Sequence, residues 1–252
     1  MAEGRKSFKL ATFNVHSFTD ANGKPTFDKI LQFVEDHGVD IICLQEAGKV
    51  QTERLMDNLK HFSANGLVAS KRCSIVSKYK LEAVPRKYLG SRSSTRSVTA
   101  RVLLEGNLSF ILTCVHLNHI SEGTRLSELN EITTNLHDLY SQSMTVIAGD
   151  FNALTLEDYS SDELNHITQV RANNRWERPK RALTDRMKQL GFTDTKTKVT
   201  EFSGILSTCR FKTRVDYIYL NKKFDDFFRI HNFTQRDVQA SDHNIVISEV
   251  TY

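Results

Sequence analysis

The stretch "VDIICLQE" (39–46) is apolar on consecutive positions, and it is the strongest constraint on the fold of this chain. A strand with one wet face alternates apolar and polar residues. An unbroken apolar run of strand length must be covered on both faces. Covering it requires layers above and below, so the chain must build stacked sheets and helices rather than a single exposed sheet. "SFILTCVHL" (109–117) and "MTVIAGDFNA" (144–153) are further apolar β-runs.

The intervening segments supply the layers. "FKLATFNV" (8–15) reads as a strand. "TFDKILQFVEDHGVD" (26–40) places Phe27, Ile30, Leu31 and Val34 at helical spacing, with Thr26 as its N-cap and Gly38 as its stop. A short helix is expected in "TERLMDNLKHF" (52–62). "CSIVSKY" (73–79) and "SVTARVLLE" (97–105) read as strands, and "EGN" (105–107) as a hairpin turn. Leu126, Leu129, Ile132, Leu136 and Leu139 form an apolar stripe that predicts one helix over 122–142. Loop and helix fill 155–190, and the last strands are "TRVDYIYL" (213–220) and "HNIVISEV" (243–250). Three prolines, no Gly/Ser linker and no repeat favour one domain over 1–252.

Bulk properties narrow the function classes. The net charge of +4 permits an anionic partner without demanding one. Cys43, Cys73, Cys114 and Cys209 show neither a CxxC pair nor finger-like spacing with histidine, which predicts buried free thiols. The first ten residues hold no signal-peptide core, and no segment approaches a membrane span. The expectation is an intracellular protein without membrane insertion, in cytoplasm or nucleus. Oligomeric state is not legible.

The chemistry sits where the β-runs stop. "TFNVH" carries Asn14 and His16, "CLQE" Glu46, and "CVHLNH" His116 and His119. "AGDFNA" carries Asp150 and Asn152, "RVDYIY" Asp216, and "ASDHNIV" Asp242 and His243. One such end is a turn. Six suggest strands converging on a shared polar site, because carboxylates beside a core are costly unless paired or bound to a cation. The donors are mostly oxygen, which suits Mg2+ or Mn2+ better than zinc. Asp216 and His243 could pair so that the carboxylate orients the imidazole. Such a set suits phosphoryl chemistry.

Asn14, "LQE", "VHLNH", "GDFNA", "RVDYIY" and "SDH", in that order over residues 8–250, resemble the endonuclease/exonuclease/phosphatase superfamily related to pancreatic deoxyribonuclease. The resemblance implies a four-layered α/β sandwich of two packed, mostly antiparallel sheets flanked by helices. It implies Glu46 as principal metal ligand, with Asn14 helping and Asp242 as a further metal-site acid. It implies Asp150 as the group that activates water, and Asn152 as the residue orienting Asp150 and the scissile phosphate. His243, partnered by Asp216, would contact the phosphate, and His116 would lie near the phosphate and leaving group. His119 and Arg125 could reach a second phosphate. Two basic stretches, 85–101 with Arg96 and 171–181 with Trp176, could track a nucleic acid. The reading is a Mg2+-dependent phosphodiesterase, a nuclease on DNA or RNA. A phosphatase acting on a phosphomonoester or lipid head group, and a non-catalytic binding module, are the alternatives.

Overall fold

β2 (Ile41–Gln45) is buried at every residue, as its unbroken apolar run requires. The structure is a computed structural model that describes residues 6–62, 65–84, 96–200 and 207–252. β2 lies inside a six-stranded sheet with β1 (Ser7–Asn14), β3 (Leu67–Ala69), β4 (Cys73–Ser77), β11 (Arg229–Arg236) and β12 (Ile245–Thr251). The spatial order is β11-β12-β1-β2-β4-β3. The second sheet comprises β5 (Lys80–Ala83), β6 (Ser97–Leu103), β7 (Ser109–His116), β8 (Thr145–Asp150), β9 (Phe192–Asp194) and β10 (Asp216–Asn221). Its order is β5-β6-β7-β8-β10-β9. Each sheet has a single parallel pair, β1 with β2 and β7 with β8, and the rest are antiparallel.

Side-chain alternation builds four layers. Between the sheets, Leu10, Cys43 and Ile75 of the first meet Ala100, Leu112 and Ala148 of the second. On the outer face of the first sheet, Phe13, Ile42 and Leu44 pack under α1 (Phe27–Asp36) and α2 (Lys49–Asn58) through Ile30, Val34 and Leu55. On the outer face of the second, Ile111, Val115 and Ile147 pack under α3 (Glu122–Asn135), α4 (His137–Gln142) and α6 (Ala182–Gln189). α5 (Ser161–Asn173) covers a smaller cluster of Leu154, Ile167, Cys209 and Val215. α7 (Lys222–Phe227) follows β10 and adds Phe224 to the inter-sheet core. The architecture is an α/β sandwich of two mixed sheets flanked by helices. Among the described residues no helix is long and apolar enough to cross a membrane.

Several local expectations are met. All four thiols are free and buried, residues 105–107 turn β6 into β7, and Gly38 takes φ +58° just past α1. Others are corrected. Thr26 holds the N-cap position of α1, but its hydroxyl does not cap the helix; it donates to the Ala240 carbonyl at 2.6 Å, which fastens the loop before Asp242 and His243. The segment 122–142 is two helices, because Leu136 leaves helical geometry at φ −101° and ψ 9°. The strand expected from 213 begins at Asp216.

Candidate active site

The two parallel pairs end at the same rim. β1 ends on Asn14 and β2 runs into Glu46, while β7 ends on His116 and β8 on Asp150. In-register pairing sets Asn14 beside Gln45 and His116 beside Asp150. β10 then places Asp216 opposite Asp150 from the other side. His243 arrives on the approach to β12, through an isolated bridge to Cys209. Backbone bends aim the side chains: Glu46 and Asn152 both adopt left-handed φ, +56° and +50°. Such strain in non-glycine residues clusters at functional sites.

Asp150 is the centre. It is fully buried, and its Oδ2 accepts from Asn14 Nδ2 at 3.2 Å. The same amide nitrogen donates to Glu46 Oε1 at 3.2 Å, so Asn14 holds two carboxylates face to face. The Asn152 backbone N–H donates to Asp150 Oδ1 at 2.9 Å, and the Asn152 side chain is anchored on the Leu117 carbonyl at 3.0 Å. His116 Nε2 lies 3.6 Å from Asp150 Oδ2 and 3.8 Å from Glu46 Oε1. His243 Nε2 lies 3.9 Å from Asp150 Oδ2, and its Nδ1 hydrogen-bonds Asp216 Oδ2 at 2.9 Å. The Ser241 hydroxyl donates to the Asn14 carbonyl at 2.7 Å and joins the His243 loop to β1.

Protonation follows from these neighbours. Burial lifts the Asp150 carboxyl above the ordinary carboxylate range, and the charge of Asp216 adds to the effect. Burial holds His116 below its ordinary range despite the nearby acids, so it is neutral at pH 7. Burial also disfavours charge on His243, but Asp216 outweighs it and raises the imidazole well above 6.5. His243 is therefore an imidazolium. Its pairing contributes stability that is complete below the unfolded pKa and lost as pH rises through the folded one. Asp216→Asn is expected to return the His243 titration toward its ordinary value near 6.5, which NMR of the imidazole protons would read. An unmoved titration would show that another group holds the charge.

The donor set fits a hard divalent cation. Glu46, Asp150 and Asp216 face one imidazolium, so negative charge is in excess, and Asp216 Oδ1 is buried without a hydrogen-bond partner. Asp150, Asp216 and His243 also offer one ligand atom each within 4.8 Å of one another. His243 Nδ1, however, is engaged with Asp216. Glu46 and Asp150, bridged by the Asn14 amide, offer a second pair of carboxylate oxygens, and Glu46 is partly exposed and opens on the cavity.

A cavity of about 580 Å³ opens over these groups. Asn14, Glu46, His116, Asp150, Asn152, Asp242 and His243 line it, whereas Asp216 lies behind His243. His119 and Trp176 also line it. Arg125 and Arg96 do not. Arg125 is buried, with its guanidinium on Glu122 and Glu177 at 2.9 and 2.8 Å, so it braces α3 rather than reaching a phosphate. Arg96 pairs with Glu128 at 3.4 Å, and its carbonyl accepts from the His116 N–H. Residues 85–95 of the first basic stretch lie outside the described residues. Sequence reasoning missed Arg72 and Phe211 in the cavity wall. The basic pair Lys71–Arg72 immediately before a strand was the available signal for Arg72. Phe211 had none.

Residues 11–243 match the model of the Endonuclease/Exonuclease/phosphatase family. No curated protein matches the sequence. Among solved structures, a mannosyl-6-phosphatase from Bacteroides thetaiotaomicron is 15% identical, with a TM-score of 0.67 over 97% of this chain and 100% of that one. Truncated TDP2 from Caenorhabditis elegans is 17% identical, with a TM-score of 0.64 over 98% of each chain. The endonuclease domain of TRAS1, a telomere-specific non-LTR retrotransposon, is 14% identical, with a TM-score of 0.62 over 97% of this chain and 98% of that one. At such identities the likeness is one of fold.

Proposed function

The chain belongs to the endonuclease/exonuclease/phosphatase family, and from that membership we propose that it is a divalent-metal-dependent phosphodiesterase that cleaves nucleic acid. Hydrolysis of phosphate esters is the chemistry of the family. The observation that carries the reading is Asp150, held between the Asn14–Glu46 pair and the His243–Asp216 pair at the floor of one cavity.

The roles follow from the geometry. Asp150, made more basic by burial, takes the proton from a water that attacks phosphorus in line. Asn152 fixes the carboxylate through its backbone N–H, so the accepting oxygen keeps its direction. The His243 imidazolium presents Nε2 toward the phosphoryl oxygens, where negative charge builds in the transition state. Asp216 keeps that charge on the ring and sets its orientation. Neutral His116 sits on the other side of Asp150, within reach of the ester or leaving oxygen. Glu46, with Asn14 and Asp242, would hold Mg2+ or Mn2+. Bound there, the ion would polarise a phosphoryl oxygen and offset the carboxylate charge.

The cavity has room for a nucleotide unit beside the hydrolytic groups. Its volume of about 580 Å³ matches sites that enclose a whole organic ligand rather than a phosphate alone. Cleavage of end-labelled DNA and RNA, with Mg2+ or with a chelator, tests the reading. Strand scission that the chelator abolishes and Mg2+ restores is expected. Glu46→Gln should raise the Mg2+ concentration needed for half-maximal rate by at least about 10- to 100-fold, the loss that removing even an outer-shell partner causes. Hydrolysis of a phosphomonoester alone, with both polynucleotides intact, would overturn the substrate assignment.

A further inference from the structure

We propose that Trp176 and Phe211 form a seat for one unpaired nucleobase beside the hydrolytic groups, and that the preferred substrate is therefore single-stranded nucleic acid. This rests on the phosphodiesterase reading above. Both rings are half-buried and line the cavity that Asp150 and His243 floor. They meet edge to face, with centroids 4.9 Å apart and planes at 83°. Their angle makes a corner, in which a flat group stacks on one ring and abuts the other. Ile167, Val170 and Val215 extend the apolar wall.

A cation flanks each ring. The Arg171 guanidinium lies 5.8 Å from the Trp176 ring centroid, and that of Arg210 lies 4.9 Å from the Phe211 centroid. Aromatic faces interleaved with arginine suit strands whose bases are free to stack.

The wall is braced. The Arg171 Nε–H donates to the Glu177 carbonyl at 2.6 Å, and the Trp176 N–H donates to the Arg171 carbonyl at 2.8 Å. The Glu177 carboxylate accepts from buried Arg125 and from the Glu122 N–H, and Glu122 Oε1 accepts from the Leu183 N–H at 2.9 Å. This buried ionic framework ties the Trp176 loop to α3 and α6. Removing one partner would leave an uncompensated buried charge, so the ring is held rather than adaptable.

The chemistry of the wall selects the ligand. A paired base cannot enter a cavity without leaving its stack and its partner, so a strand whose bases are already free is favoured over a duplex.

Trp176 is the only tryptophan of the chain, so its fluorescence reports the seat directly. The probe is a short single-stranded oligonucleotide titrated into Asp150→Asn protein, which would not turn it over. The comparison arms are its duplex, the same strand with abasic sites, and ribose 5-phosphate. Saturable quenching by the intact strand, weaker with the duplex and lost with the abasic strand, is expected. On cleavable single-stranded substrate, Trp176→Ala should raise KM by roughly 5- to 150-fold, the worth of one base–aromatic stack. Its kcat should be nearly unchanged, and Trp176→Phe should restore most of the KM. Thermal unfolding of both variants separates a lost seat from a lost fold. Single strands cleaved with unquenched fluorescence and an unmoved KM in both variants would overturn the seat while leaving the phosphodiesterase reading intact. Duplex preferred over single strand would also overturn it. Failure of every polynucleotide to bind or be cut, with a phosphomonoester hydrolysed, would overturn both.

Discussion

Asp150→Asn is expected to lower kcat on a phosphodiester by about 10³- to 10⁴-fold, near the upper range for a lost general base. The change is nearly isosteric. The amide oxygen can keep the hydrogen bond from the Asn152 N–H, so the fold should persist. What is lost is basicity at the one buried carboxylate that both Asn14 and His243 face. The effect should fall on kcat, with KM within a small factor, because the contribution exists only as the proton leaves the water. Circular dichroism and the thermal midpoint of the purified variant would confirm folding. A folded variant with near-normal kcat would remove Asp150 from the chemistry.

Gly149→Ala is expected to lose activity by a different route, through the sheet. Gly149 sits opposite Val115 in the parallel β7–β8 pairing, at φ +151°. A Cβ there would lie 2.0 Å from the Val115 carbonyl oxygen and 2.8 Å from its nitrogen. Both are backbone atoms of an interior strand and have no rotamer with which to move aside. The strands must separate or the glycine dihedral must change. Overpacking of this kind costs about 3 kcal/mol or more. In a chain of this size that should lower Tm by roughly 6–12 °C. The next pair in the register is His116 with Asp150, so kcat should also fall below Tm. An unchanged Tm would mean that the two strands yield more readily than a close-packed interior should.

Legibility of the sequence tracked burial. β2, β7 and β8 were readable because an interior strand is written in consecutive apolar residues. β11 was not: "RIHNFTQR" is polar, bulged between Ile230 and Asn232, and lies at the edge of its sheet. Edge strands carry charge and bulges that protect them from further pairing. β3 and β9, at three residues each, are too short to show a period. Among site residues, those at the ends of strongly apolar runs could be collected before any fold was known, because a polar residue there breaks a strong pattern. Arg125 was misread because charge on a helix looks solvent-facing until its partners are seen, and Glu177 is 52 residues away. Phe211 was invisible for the opposite reason: an aromatic residue gives no sign of whether it faces a core or a cavity.

β1 pairs with β12, so Ser7 lies opposite Thr251. The strands of the second sheet run from Lys80 to Asn221, wholly within that interval. The first sheet therefore closes around the second in chain order, and His243 enters with the closing strand. Contacts of such long sequence separation form slowly. Assembly of the rim groups thus waits on that long-range pairing. A partly folded copy in which β1 and β12 have not yet paired holds Asp150 without His243 set beside it.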